Sequence, residues 1–296
     1  MASPIRRLIR NRLGYARHES TLSPAELYDL VRRKPMQRQY YSAAKYCDEK
    51  PLARFVKEAV SDEFMYFRSD NRPSNLLICF TDKHSTLFQS IPEFLQTLGD
   101  KDFDVIVLHD RRRYRHSIGL KGLTGSLRET LDLVQSKIAD RGYDRLFTYG
   151  TSMGGFTAIR AGLLVGADRA VSVGGSFIDI PKYFDNGGKF FNPRQYLCSC
   201  DTNSKTEIVM IYSQNCYPDV QNALHMRSIF PECWDVRCDS EKHDIFRQIK
   251  SKGFIRNFLM SAFFDDDISG EKYDDLVFRD KALQFGDADK REKLTN

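Results

Sequence analysis

Tyr149-Gly150-Thr151-Ser152-Met153-Gly154-Gly155 is the stretch on which the reading of this chain turns, because it spells G-x-S-x-G between a strand pattern and a helix pattern. Upstream, Arg145-Leu146-Phe147-Thr148-Tyr149 is a short apolar, aromatic and β-branched run suited to a buried strand. Downstream, Phe156, Ile159, Ala161, Leu163 and Leu164 form an apolar helical stretch that ends at Gly166. A serine on so sharp a turn is forced into a strained backbone conformation, and glycines flank it because a Cβ there would strike the neighbouring strand or helix. The turn pushes the hydroxyl out of the sheet and aims the first N–H groups of the helix, beginning with Met153, at a carbonyl oxygen that gains negative charge. Ser152 is therefore the candidate nucleophile and Met153 a candidate oxyanion donor. The same pentapeptide also occurs by chance in glycine-rich turns that merely connect a strand to a helix, and the flanking patterns are what separate the two readings.

The run Tyr-Gly-Thr-Ser-Met-Gly-Gly-Phe-Thr-Ala, with its Ala-Gly helix end, resembles the elbow of bacterial α/β-hydrolase-fold serine enzymes. As a pattern of elements the likeness covers about residues 75 to 260, and the elbow is its sharply specific part. The resemblance implies an α/β fold, a mostly parallel sheet with helices on both faces, and a triad in the chain order nucleophile, acid, histidine. Ile208-Val209-Met210-Ile211-Tyr212 reads as the next-to-last parallel strand, and the loop that follows reaches Asp219, the candidate acid. Enzymes of this pattern often carry the acid nearer the strand end, where this chain has Asn215 and Cys216. Asp219 also reads as an N-cap for the helix over Val220-Gln221-Asn222-Ala223-Leu224, with Asp235 and Asp239 as reserve acids. His243 follows a last short strand, Cys233 to Arg237, and precedes a helix from Ile245 to Leu259, which makes it the candidate base. The resemblance takes a second oxyanion donor from the loop after the third strand. That strand is Leu76-Leu77-Ile78-Cys79-Phe80 and the loop begins at Thr81-Asp82, so Thr81 or Asp82 is the expected donor.

Two further regions bear on substrate. Arg111, Arg112 and Arg113 leave the end of the strand Phe103 to Leu108, at the carboxyl edge where open α/β sheets bind ligands. Guanidinium groups there suit phosphate or carboxylate, and they equally suit a solvated charge run. Residues 177–200 lie where this fold can carry a cap over the pocket, or an ordinary surface excursion.

With 296 residues, 41% of them hydrophobic, the chain can bury one large core. No apolar run approaches the roughly 18 residues that cross a bilayer, and the N-terminus scatters basic residues where a signal peptide needs an unbroken apolar segment. A cytoplasmic protein is expected. Its seven cysteines lack metal-ligand spacing, and an odd count without an export signal argues for reduced thiols, so neither metal nor cofactor is expected. A net charge of +5, dispersed along the chain, is too small to argue for nucleic-acid binding.

Three regions result: a helical N-terminal extension over 1–62, an α/β core over 63–262, and a charged C-terminal tail over 263–296. The extension includes a capping box at Ser23-Pro24-Ala25-Glu26 and a helix from Leu52 to Val60. Its arm, with Ile5, Leu8, Ile9 and Leu13 among arginines, reads as docked on the protein's own body or as a basic amphipathic helix on an anionic membrane. Glu63 to Arg68 is expected as the first strand, and Leu276, Val277 and Phe278 as a short helix or a free tail. The activity expected is an acyl hydrolase working through acyl-Ser152, with a small-molecule or saccharide ester, anionic if the arginines line the cleft. Transfer of the acyl group to a sugar or polysaccharide hydroxyl is the alternative, which the resemblance associates with surface polysaccharide, and an inactive binding fold is the third. Oligomeric state is not legible in the sequence.

Overall fold

A computed structural model describes residues 21–22, 55–61, 63–69, 73–99, 102–111, 116–176, 205–246, 249, 255–264 and 277–281. In chain order the elements are β1 (Thr21–Leu22), β2 (Phe55–Ser61), β3 (Phe64–Ser69), β4 (Asn75–Phe80), α1 (Ile91–Leu98), β5 (Phe103–Leu108) and α2 (Leu127–Ile138). There follow β6 (Arg145–Thr151), α3 (Met153–Val165), β7 (Arg169–Val173), β8 (Glu207–Ser213), α4 (Tyr217–Ile229), β9 (Trp234–Cys238), α5 (Ile255–Phe264) and β10 (Val277–Lys281).

The strands form one sheet in the order β1-β2-β3-β5-β4-β6-β7-β8-β9-β10. From β5 through β9 every pairing is parallel, and the outer pairings β1·β2, β2·β3, β3·β5 and β9·β10 are antiparallel. The alternation of strand residues explains the two covered faces. Leu77, Cys79, Val105, Val107, Phe147, Tyr149, Val171 and Val173 turn toward one core with Phe94 and Leu98 of α1 and Phe258 and Phe263 of α5. Leu76, Ile78, Phe80, Ile106 and Leu108 turn the other way, against Leu127 and Leu131 of α2 and Ala158 and Ala161 of α3. A strand buried on both sides shows a continuous apolar run, which is why these segments are legible as strands. Helix starts also follow local rules: Ser126 Oγ accepts the Glu129 N–H at 3.2 Å and Glu129 answers Gly125 N–H at 2.8 Å, while Gly166 closes α3 in the left-handed conformation.

Three expectations change. The helix expected over 52–60 is instead β2 across Phe55–Ser61, paired with β3 from Phe55↔Ser69 to Ser61↔Phe64. Phe55, Val56, Ala59 and Val60 fit either period, and the edge of β3 has N–H and C=O groups that another strand satisfies. Strands therefore precede Glu63, and the segment expected first is the third. The segment expected as a short helix or free tail holds β10, whose residues Val277–Lys281 pair with Cys238–Trp234 of β9. The capping box at Ser23, the N-terminal arm, the 177–200 segment, Arg112 and Arg113 lie outside the described residues.

Candidate active site

β6 lies between β4 and β7 in the middle of the parallel sheet, and Ser152 follows it at the carboxyl edge. Its φ of 48° and ψ of −113° are rare for a residue with a Cβ. The Ser152 N–H donates to Val173 O at 2.8 Å, and its carbonyl accepts from Gly155 N at 3.0 Å and Ser176 N at 3.1 Å. The two glycines that matter most are those where a Cβ would collide with backbone: one on Gly150 would sit 2.1 Å from Gly154 O, and one on Gly154 would sit 2.1 Å from Phe80 O. Close passage of α3 over β4 and β6 thus requires the glycines the sequence supplies.

The three candidate triad residues, distant in sequence, converge. His243 Nε2 lies 2.9 Å from Ser152 Oγ, and His243 Nδ1 lies 2.6 Å from Asp219 Oδ1. Asp219 is buried at 2% exposure, so its carboxylate points into the fold rather than into solvent. The N-cap of α4 is Cys216, and Asp219 stands in the first turn, with the Ser213 N–H 3.5 Å from its Oδ2. Asp219 is therefore not the cap. The displacement from the strand end is absorbed by this helical turn, which carries the carboxylate back to the histidine. Cys216 keeps its proton more tightly than an ordinary thiol, through burial first and then the charge of Asp219.

The reserve acids are occupied elsewhere. Asp235 Oδ2 accepts from Arg227 at 2.9 Å, Arg237 at 3.3 Å and Tyr212 at 3.3 Å, and Asp239 accepts from Gln214 and Asn215 side chains at 3.2 and 2.8 Å. The histidine loop is tied to the acid strand: Ser213 Oγ donates to Lys242 O, and Asn215 N–H donates to Ser240 O at 3.2 Å. Phe88 meets the His243 ring edge-on, centroids 5.4 Å apart, and also meets Phe246 at 6.0 Å. Phe88 itself holds a φ of 56°, an outlier for so bulky a residue.

The loop after β4 differs from expectation in which N–H is available. Thr81 N–H donates to Leu108 O at 3.1 Å and Asp82 N–H to Thr86 O at 2.9 Å, so both expected donors are already engaged. The Asp82 carboxylate organises the turn, taking His84 N–H at 2.7 Å and Thr86 N–H at 2.9 Å. Ser85 N–H bonds Asp82 O, and Leu87 N–H bonds Gln89 O. Between residues 81 and 87, Lys83 N–H has no acceptor among the described residues. Met153 N–H opens α3 and has no intrahelical acceptor.

A cavity of about 570 Å³ joins these parts, lined by Asp82, Lys83, His84, Thr86, Phe88, Gln89, Ser90, Glu93, Ser152, His243 and Asp244. The sequence reading passed over Phe88, Gln89 and Ser90, which lead into α1, and Glu93 in its first turn. The signal present was Ser90 ahead of Ile91-Pro92-Glu93, since Ser90 Oγ caps α1 by accepting Glu93 N–H at 3.4 Å. Arg111 is not among the lining residues. Among the described residues no group of three or more His, Cys, Asp or Glu is placed to hold a metal ion, and no helix is long and apolar enough to cross a membrane.

The strand order, Ser152 after the central parallel strand, and Asp219 and His243 after the last two parallel strands are placed as in the α/β-hydrolase fold. The chain has that fold. Comparison with solved structures agrees: the capsule O-acetyltransferase of Neisseria meningitidis serogroup A matches with a TM-score of 0.50 at 13% identity, over 69% of this chain and 95% of that one. Fluorophosphonate-binding serine hydrolase F of Staphylococcus aureus matches with a TM-score of 0.43 at 13% identity, over 68% and 93%. Esterase B of Lactobacillus rhamnosis matches with a TM-score of 0.46 at 12% identity, over 67% and 80%. No protein-family model matches the chain, and no curated protein matches it in sequence. At 13% identity the likeness to the capsule O-acetyltransferase is one of fold alone.

Proposed function

We propose that the chain is a serine-nucleophile acyl hydrolase of esterase type, working through an acyl-Ser152 intermediate. The observation that carries this reading is the continuous hydrogen-bonded line Ser152 Oγ, His243 Nε2, His243 Nδ1, Asp219 Oδ1 at 2.9 and 2.6 Å, opening on a cavity. An inactive binding fold has no need of such a line.

In the first half-reaction His243 Nε2 takes the Ser152 proton as Oγ attacks the ester carbonyl, and Asp219 holds the imidazole with Nδ1–H turned toward it and steadies the imidazolium. The tetrahedral oxyanion is met by the N–H groups of Met153 and Lys83, both without an acceptor of their own. Collapse of the intermediate expels the alcohol, which leaves with the proton from Nε2. In the second half-reaction a water gives a proton to Nε2 and its oxygen attacks acyl-Ser152, releasing the acid and restoring the serine. A saccharide ester carrying a short acyl group is the substrate type this reading adopts, and a sugar hydroxyl in place of water would make the same machinery an O-acyltransferase.

The test is labelling with a fluorophosphonate and mass spectrometry of the adduct. One adduct on Ser152, lost in Ser152→Ala, is the result expected; an adduct elsewhere, or unchanged ester turnover by folded Ser152→Ala, overturns the reading.

A further inference from the structure

The cavity beside Ser152 has an unusual lining for an ester site: Phe88 is its one carbon-only side chain, and the rest of the lining is polar or charged. A pocket for a fatty acyl chain gains its affinity from apolar walls, at about 25 cal/mol per Å² of surface removed from water. Here that gain comes from the ring of Phe88 and the carbon stems of the polar side chains. Asp82, Glu93 and Asp244 line the cavity with a single lysine, Lys83, a balance that disfavours a polyanion. His84 and His243 also line the cavity, and an uncharged ligand rich in hydrogen-bonding groups suits this mixed lining without needing a net charge to match.

One lining residue is built for such a ligand. Gln89 is 4% exposed, and its Nε2 has no hydrogen-bond partner among the described residues. Its Oε1 lies 3.1 Å from Thr97 Oγ1, which also lies 2.8 Å from Glu93 O. Thr97 has a single hydroxyl proton. If that proton goes to Gln89 the amide NH₂ is left over; if it goes to Glu93 O, the amide turns, its NH₂ faces Thr97 Oγ1, and its oxygen is left over. Either way one polar end of a buried carboxamide stays unanswered, which costs about 1–3 kcal/mol in the empty site. A hydroxyl both donates and accepts, so it answers either end.

We propose that Gln89 is a specificity-determining residue that receives a hydroxyl of an uncharged polyhydroxylated ester, such as a neutral saccharide carrying a short acyl group, in the cavity beside Ser152. The proposal rests on the acyl-hydrolase reading for the chemistry but not for the binding, and the two are separable by experiment.

The binding arm uses saturation-transfer NMR with methyl α-glucopyranoside as the probe. Ser152→Ala protein is expected to transfer saturation to the glucoside, and Ser152→Ala with Gln89→Met to lose that transfer. The kinetic arm measures kcat/KM for 6-O-acetylglucose and for 4-nitrophenyl acetate. Gln89→Met is expected to lower the ratio of the two by about tenfold, chiefly through KM for the sugar ester. Gln89→Leu serves in the same role if the methionine variant does not fold. An unchanged ratio, with both substrates falling together, would mean that Gln89 only braces the loop through Thr97 and overturns the proposal. So does absence of transfer to the glucoside in Ser152→Ala protein. Glucoside binding that depends on Gln89, in an enzyme with no fluorophosphonate adduct and no ester turnover, supports the proposal while overturning the hydrolase reading.

Discussion

Ser152 holds a φ of 48° although it carries a Cβ, a conformation that costs on the order of 1–3 kcal/mol and persists because Val173, Gly155 and Ser176 hold its peptide groups. The strain serves to project Oγ to within 2.9 Å of His243 Nε2. Ser152→Ala is expected to lower turnover of 4-nitrophenyl acetate by about 10⁶-fold, and His243→Ala comparably, because members of a triad act as a unit. Asp219→Asn is expected to cost roughly 10⁴-fold in kcat, since it removes the charge that orients the 2.6 Å bond to Nδ1. Steady-state kinetics on the three variants, with circular dichroism to verify the fold, checks both; a harmless Asp219→Asn would remove Asp219 from the mechanism. That Ser152, Asp219 and His243 come together was legible in sequence because chain order and strand ends constrained the search. That the Thr81 and Asp82 N–H groups are already engaged was not, because it depends on acceptors that the tertiary structure brings to them.

At the scale of elements, the loop from β4 into α1 and the crossing of α3 over β4 carry the most weight. Lys83→Pro removes an N–H and is expected to lower kcat by about 10²–10³-fold, whereas Lys83→Ala keeps that N–H and is expected to stay within about threefold of the native enzyme. Equal losses in both would assign the role to the side chain. Gly154→Ala places a Cβ 2.1 Å from Phe80 O, a backbone atom that cannot swing aside. It is expected to destabilise the protein by at least about 3 kcal/mol, read as a lower urea midpoint or a loss of soluble yield. Strands in the parallel sheet were legible because both their faces are buried. The segment at 55–61 was misread as helix because its apolar residues satisfy two periods, and only pairing with β3 decides between them. α1 was overlooked although its cap was present in the sequence.

At the scale of the whole molecule, stability carries a signature from Asp235. This side chain is fully buried, all its hydrogen bonds fall on Oδ2, and burial raises its pKa despite Arg227 and Arg237 beside it. The sign follows from proton linkage: a carboxyl whose folded pKa is raised contributes its stability in full below the unfolded value near 3.9, and loses it as pH rises through the folded value. Arg227→Met leaves the same charge with less compensation. It is expected to cost about 3 kcal/mol near neutral pH and less toward pH 4, as measured by urea denaturation across that range. A loss independent of pH would place the effect in packing instead. Water access sets the reaction outcome at this scale too. The His243 side chain is 41% exposed, so solvent reaches the residue proposed as the base. Acyl-Ser152 formed from 4-nitrophenyl acetate is therefore expected to deacylate in buffer alone, followed by intact-mass spectrometry. An adduct that persists until glucose is added, and then yields acetylglucose, would make the chain a transferase.

By itself the sequence determined the sheet's central strands, the elbow and the chain order of Ser152, Asp219 and His243, because burial on both faces and steric demands at a tight turn write themselves into residue type at short range. The tertiary structure decided that Asp219 rather than Asp235 or Asp239 meets His243, that Lys83 N–H is left free, and that the cavity is walled by polar residues of α1 and its preceding loop. Each of these is a competition among groups far apart in the chain for the same partner. Such competitions are settled only when the fold brings all the contenders together.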